Sequence, residues 1–193
     1  MTKLWSKGYQ LNQVVEDFMT GDDPRLDLRI ARYDCIASIA HAKMLCHINI
    51  LTAEECTQLV AKLNEIIELV DNGEFTIASS QEDIHTAIEN YLVTHLGDIG
   101  KKIHTARSRN DQVLTALRLY SKHELQQILS KLVKTLEVLY AFANKYQDVA
   151  YVGRTHYQKA MPSSLGLWMG ALLESLLDDA TLILGSYNLI DQS

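Results

Sequence analysis

From Asp111 to Tyr146 the chain contains neither glycine nor proline. As a helix, that stretch would extend roughly 50 Å at 1.5 Å per residue. It therefore predicts a long rod that must lie against other rods. Leu125, Leu129, Leu132, Leu136, Leu139 and Ala143 recur at alternating spacings of three and four, the seam of a bundle helix. A second helix is expected from about Ser164 to Tyr187, just after Pro162. It is apolar on nearly every side: Leu165, Leu167, Trp168, Leu172, Leu173, Leu176, Leu177, Leu182 and Ile183. A helix apolar all round belongs inside something larger. These faces need cover, from other chains or from residues beyond Ser193.

Upstream the pattern is helical but shorter. Pro24 suits a first helical turn, with Asp22 and Asp23 as cap candidates. Ile30, Tyr33, Ala37, Ala40, Met44 and Ile48 follow at helical spacing and predict one buried stripe. Thr52-Ala-Glu-Glu55 is a capping box, leading a helix whose buried face is Leu59, Leu63, Ile66, Ile67 and Val70. Asp71-Asn72-Gly73 stops it. A third helix is expected from Gln81 to about His95, burying Ile84, Ile88, Tyr91 and Leu92. Alternating β-branched runs are nearly absent, so the region around Gly153 reads as a loop. The fold class is all-α. A domain of short helices spans 1–107, and the first long helices of an elongated bundle span 108–193.

Composition narrows the function. The net charge is -6 over 193 residues, and binding to phosphate backbones runs on clustered Lys and Arg. A nucleic-acid partner is not expected. Asp178 and Asp179 follow the most apolar stretch, and Glu174 breaks it, so no membrane span is expected either. Cys35, Cys46 and Cys56 have no metal-ligand or CxxC spacing and read as reduced thiols. With no apolar run from Met1 to Gln10, they point to a cytoplasmic protein.

Three polar stretches exceed what a plain helical protein needs. The first is His104-Thr-Ala-Arg107-Ser108-Arg109-Asn110-Asp111-Gln112, at the head of the long helix. Unpaired N–H groups and a partial positive charge gather at a helix N-terminus, and arginine holds a carboxylate by two parallel bonds. The stretch reads as an anion site, or as ordinary capping by Ser108 and Asp111 beside a solvated basic loop. The second is Gln81-Glu82-Asp83-Ile84-His85-Thr86-Ala87. Taken alone, Asp83 is a helix-dipole acid and His85 a surface residue. The third is Gly153-Arg154-Thr155-His156-Tyr157-Gln158, where His156 is either an exposed histidine or a proton carrier. The other histidines, His41, His47, His95 and His123, read as packed or solvated, with no metal-ligand spacing.

Taken together, these strings resemble the argininosuccinate lyases of the fumarase/aspartase superfamily, over essentially the whole chain. Ser-Arg-Asn-Asp-Gln opens the first long bundle helix in that family, and Leu4-Trp5-Ser6 stands near its usual opening. The resemblance implies β-elimination of argininosuccinate to arginine and fumarate, with no cofactor and no metal. It implies that Ser108, Arg109, Asn110, Thr155, Asp83, His85 and Gln158 contact substrate and that His156 is the catalytic proton-transfer residue. It also implies a homotetramer whose active sites draw on three subunits. Arg154 and Met161 depart from the family's commoner Tyr and Gln, and Gly21 beside Thr20 stands where many members carry a substrate-contacting Ser. The family's Gly-Ser-Ser-x-Met-Pro-x-Lys-x-Asn loop, which holds its proposed base, does not occur in this sequence. The 193 residues alone are expected to be inactive.

Two other readings carry different consequences. One is a helical assembly module without catalysis, of the kind seen in lens crystallins related to this family. The other is a sibling lyase acting on adenylosuccinate or fumarate, against which the Arg-Ser-Arg-Asn-Asp-Gln string argues. All of them leave the Leu165–Ile190 region with too narrow a polar face to meet water, and large exposed apolar patches drive association. The 193-residue chain should therefore self-associate at micromolar concentration. Sedimentation velocity checks this, and a compact monomer is the contrary result.

Overall fold

The computed structural model describes Asn12, Val14, Val15, Phe18, residues 21–78, Gln81 and residues 83–192. Leu4-Trp5-Ser6, Thr20 and Glu82 lie outside the described residues. The chain divides into two compact units, Met1–Tyr120 and Ser121–Ser193. It is built almost wholly of helix, as the all-α reading requires, with one two-stranded sheet.

In the first unit, α1 (Asp23–Asp27) carries Pro24 in its opening turn. The chain then tightens through Leu28–Ile30 with bonds of the i→i+3 kind before α2 (Ala31–His47) begins. α3 (Ala53–Asp71) starts at the expected capping box. Thr52 accepts from the Glu55 N–H, and Glu55 accepts from the Thr52 N–H. α4 (Ile84–Leu96) is capped by Asp83, whose side chain accepts from the Thr86 N–H at 2.7 Å. It starts three residues later than expected, because Asp83 in an extended conformation is the cap. A short α5 (Asp98–Lys101) and a 3₁₀ turn (Lys102–His104) lead to α6 (Arg109–Lys145), the 37-residue rod.

The core of this unit is Ala31, Cys35, Ala42 and Leu45 of α2 against Leu59, Leu63 and Ile66 of α3 and Ile84, Ala87, Ile88 and Leu92 of α4. The α3 and α4 faces are those read from spacing. The α2 face is not. Ala40, Met44 and Ile48 of the expected stripe are exposed, and the buried residues are Ala31, Asp34, Cys35, Ser38, Ala42 and Leu45. The reason is steric and electrostatic. Small residues let α2 approach its neighbours closely, and Asp34 finds donors there that offset its desolvation.

α5 approaches α4 so closely that a Cβ on Gly100 would lie 2.5 Å from the Leu92 carbonyl carbon. No methyl fits there, so the glycine sets how closely the two helices pack.

In the second unit, the α6 seam residues Leu125, Leu129, Leu132, Leu136, Leu139 and Ala143 are half-buried. α7 (Leu165–Ile190) is capped by Ser164 on the Leu167 N–H. Gly166 packs where a Cβ would stand 2.6 Å from the Gln147 Cα and 2.7 Å from the Ala143 carbonyl oxygen. Gly170 faces open space, so the Gly166/Gly170 pair makes one close contact and not two. Lys122 of α6 pairs with Asp191 just past α7. Much of α7 is left bare: Leu167, Trp168, Leu182 and Leu189 are exposed.

The expected loop around Gly153 is a β-hairpin instead. β1 (Ala150–Thr155) pairs antiparallel with β2 (Gln158–Ser164), with an irregularity between Val152 and Arg154. Its two-residue turn is His156-Tyr157, both at positive φ (47° and 64°), the signature of a type I′ turn. That turn normally advertises itself by Asn-Gly, and His-Tyr gives no such signal.

Replacing Gly100 by Ala should destabilise the first unit by about 1–3 kcal/mol, the range for overpacking. Thr52→Ala should cost about 1 kcal/mol through the lost cap. Urea titrations followed by circular dichroism check both, and a Gly100→Ala chain as stable as the parent would refute the close approach.

Candidate active-site elements

The His104–Gln112 stretch leads into α6 within the first unit. Ser108 precedes the helix and exchanges bonds with Asp111: the Ser108 N–H and hydroxyl both lie 2.9 Å from Asp111 Oδ2, and the Asp111 N–H points back to Ser108 Oγ at 3.3 Å. These bonds hold the Asp111 carboxyl below the ordinary range, the Ser108 N–H first among causes. Both residues are exposed, as is Asn110. The capping reading of Ser108 and Asp111 is therefore real geometry. It leaves the arginines to be explained.

Arg109 turns toward α4. Its Nη1 lies 2.5 Å from Asp83 Oδ1, and both terminal nitrogens approach Thr86 Oγ1 at 3.4 Å. Burial alone would raise the Asp83 carboxyl. The Thr86 N–H and hydroxyl and the Arg109 charge outweigh it, so Asp83 ends below its usual range and stays ionised. In this structure, then, one terminal nitrogen of Arg109 already meets a carboxylate, one the chain itself supplies. Two of the sequence-derived site residues, Asp83 and Arg109, are brought into direct contact.

His85 is not a surface residue. It is 2% exposed, and its Nδ1 lies 2.8 Å from Oδ2 of Asp34, which is 0% exposed. The Asp34 carboxylate also accepts from Gln112 Nε2 at 2.9 and 3.0 Å and from Ser38 Oγ at 3.4 Å. Both terminal nitrogens of Arg107 reach Ser38 Oγ, at 3.2 and 3.3 Å. Burial depresses the Arg107 guanidinium, and the Asp34 charge partly restores it. Two buried atoms nearby lack a partner, Arg107 Nε and Gln112 Oε1. Asp27 adds a third carboxyl on this side. It accepts from the Ile84 N–H at 3.1 Å, and burial raises it above its ordinary value.

The loop before α6 is pinned by polar contacts to three helices. The His41 ring meets the Thr105 carbonyl at 3.0 Å, His104 pairs with Glu89 at 3.1 Å, and Lys102 pairs with Glu55. Ala106 within it takes a positive φ of 58°, a sparsely populated state for a residue with a Cβ. A basic loop free in solvent would need none of this.

Asp34 and Asp27 lie outside the three polar stretches; Gln112, Arg107 and Thr86 lie within them, but no individual role follows from their place in the string. One signal was present in the sequence: Asp34 stands with Ala31, Cys35 and Ser38 on one helical face, an acid where only small residues belong. Thr155, His156 and Gln158 lie in the second unit. Thr155 and Gln158 close the hairpin as a register pair, and His156 rides the turn between them, exposed.

A family model described as lyase matches residues 16–190. The argininosuccinate lyase of Thermotoga neapolitana is 50% identical over 99% of this chain and 48% of its own length. That of Parabacteroides distasonis is 44% identical over 99% of this chain and 43% of its own. Among solved structures, the fumarate lyase:delta crystallin of Brucella melitensis aligns with a TM-score of 0.75 at 22% identity, covering 92% of this chain and 44% of that one. The class II fumarase of Schistosoma mansoni aligns at 0.74 and 18%, covering 97% and 44%. The chain thus spans about half the length of the curated relatives it matches. With its capped short helices, its 37-residue rod and the match running from residue 16 to residue 190, this chain belongs to the lyase family.

Proposed function

We propose that this chain forms the amino-terminal half of an argininosuccinate lyase, which cleaves argininosuccinate to arginine and fumarate. The observation that carries the reading is the Arg109–Asp83 pair beside Ser108 and Asn110 at the start of α6. An arginine oriented by that pair, with hydrogen-bonding nitrogens to share, suits a substrate rich in carboxylates. The 50% identity to an argininosuccinate lyase across the whole chain favours this substrate over those of sibling lyases.

The chemistry assigns the parts. Removing a proton beside a carboxylate builds negative charge on that group, and fixed donors must already face it. Ser108, Arg109 and Asn110 supply such donors, Asp83 and His85 shape the neighbouring wall, and Thr155 and Gln158 bind from the hairpin. His156 is the proton-transfer residue. The assembly is a homotetramer in the cytoplasm, with each site shared among subunits. No helix among the described residues is long and apolar enough to cross a membrane.

The test is a protein carrying residues 1–193 followed by the remaining length of a relative such as the Thermotoga enzyme. It should release fumarate from argininosuccinate, followed by ultraviolet absorbance. His156→Asn should lower turnover by about 100- to 10,000-fold, the range for a proton-transfer group, with little change in KM. Asparagine tolerates the left-handed turn conformation, so lost folding would not explain lost activity. Unchanged turnover removes His156 from the mechanism, and cleavage of adenylosuccinate instead overturns the substrate.

The 193 residues alone should be inactive, because groups that act as a unit fail together when one is missing. They should still bind fumarate or succinate weakly by calorimetry. Arg109→Ala and added salt should each weaken that binding. Affinity indifferent to both changes refutes the anion site.

A further inference from the structure

The buried carboxylate of Asp34 has no role in the scheme above, and its position asks for one. It lies on α2, is 0% exposed, and has no lysine or arginine within ion-pair distance among the described residues. Its partners are His85 Nδ1, Gln112 Nε2 and, more distantly, Ser38 Oγ. A buried charge is expensive unless every lone pair finds a donor. An apolar residue would pack the α2–α4 contact without that demand. An ionised carboxylate can only accept hydrogen bonds, so a histidine nitrogen 2.8 Å from it must carry a proton.

We propose that Asp34 is a positioning residue for His85. It fixes the proton on Nδ1 and leaves Nε2 as the variable nitrogen, on the opening turn of α4 that Asp83 caps and Thr86 shares. Three observations converge on this. Nε2 makes no hydrogen bond among the described residues, so it is the ring nitrogen left to take a partner. His85 stands two residues after Asp83 and next to Thr86 at the start of α4, the two residues that Arg109 meets. Gln112 clamps both Asp34 oxygens from the first turns of α6, so Asp34 cannot swing away from the ring. With Nδ1 always protonated, Nε2 offers a lone pair to a ligand N–H when the ring is neutral and an N–H to a carboxylate when it is charged. Either way the ring plane and the free nitrogen are set before ligand arrives.

The tautomer stands on geometry alone; the use of Nε2 toward substrate rests on the lyase reading. Long-range ¹⁵N–¹H spectra of the ¹⁵N-histidine-labelled 193-residue chain read the first part, with His85→Gln assigning the signal. Nδ1 of His85 should carry hydrogen at every pH where the chain is folded. In Asp34→Asn the Nε2–H tautomer should become the major form, because the amide offers its own N–H. Ser38→Ala touches the same carboxylate but not the ring and should leave the spectrum unchanged. A bare Nδ1 in the parent chain overturns the proposal, as does an Asp34→Asn spectrum identical to the parent. If Asp34→Asn does not fold, the parent and Ser38→Ala spectra still decide.

The second part is kinetic, in the full-length protein described above. Asp34→Asn should lower kcat by about 10- to 100-fold, the range seen when a partner that orients a functional histidine is lost. KM should change little, and Asp34→Glu should restore part of the rate. A shifted tautomer with unchanged kcat overturns the functional half. A parent that never cleaves argininosuccinate overturns the lyase reading and leaves the tautomer result intact.

Discussion

A carboxylate with no water around it must be surrounded by donors, and Asp34 draws them from two other helices. His85 comes from the first turn of α4 and Gln112 from the first turns of α6. Each donor fixes the rotation of its own helix, since a helix turned by one residue would carry its polar group away from the carboxylate. The apolar contacts around it are abundant but forgiving: Leu59, Leu63 and Leu92 tolerate small shifts at modest cost. The polar contacts do not, because a buried charge left without a partner is penalised far more than a poorly packed leucine. Register in this unit therefore follows from the polar centre, and bulk stability from the apolar shell.

The same centre fixes the surface where ligand would arrive. Asp83 caps α4 two residues before His85 and closes on Arg109, the first residue of α6. The start of α6 is thus tied to the cap of α4. The Arg109–Asp83 pair keeps the guanidinium oriented in the absence of ligand.

Much of this was legible in the sequence. The capping box at Thr52, the faces of α3 and α4 and the rod after Ser108 follow from spacing and from missing breakers, because these helices are held by ordinary amphipathic burial. The buried face of α2 was misread for a physical reason. Its apolar residues run round most of the helix, and the side chosen for burial is the one whose acid could be satisfied from α4 and α6, which no local pattern reveals. His85 was misread likewise: a histidine three residues from a loop looks solvated until the acid 51 residues earlier is known to sit beneath it. The hairpin was missed because its turn lacks the residues that turns of this type prefer. The polar strings were recognisable as strings, while Asp27, and the partners of Thr86 and Arg107, became visible only once the helices were assembled.

That turn has a consequence for how such chains change over generations. His156 and Tyr157 both occupy left-handed backbone, at about 1–2 kcal/mol each for residues with a Cβ. Asparagine followed by glycine would relieve most of that strain without disturbing β1 or β2. Mutation would therefore drift toward Asn-Gly wherever nothing else holds the pair in place. A lineage that kept only the bundle, for bulk or assembly, would be expected to lose the histidine at this turn early, while its core leucines persisted. An uncomfortable residue at an exposed tip thus carries a cost that folding alone does not call for.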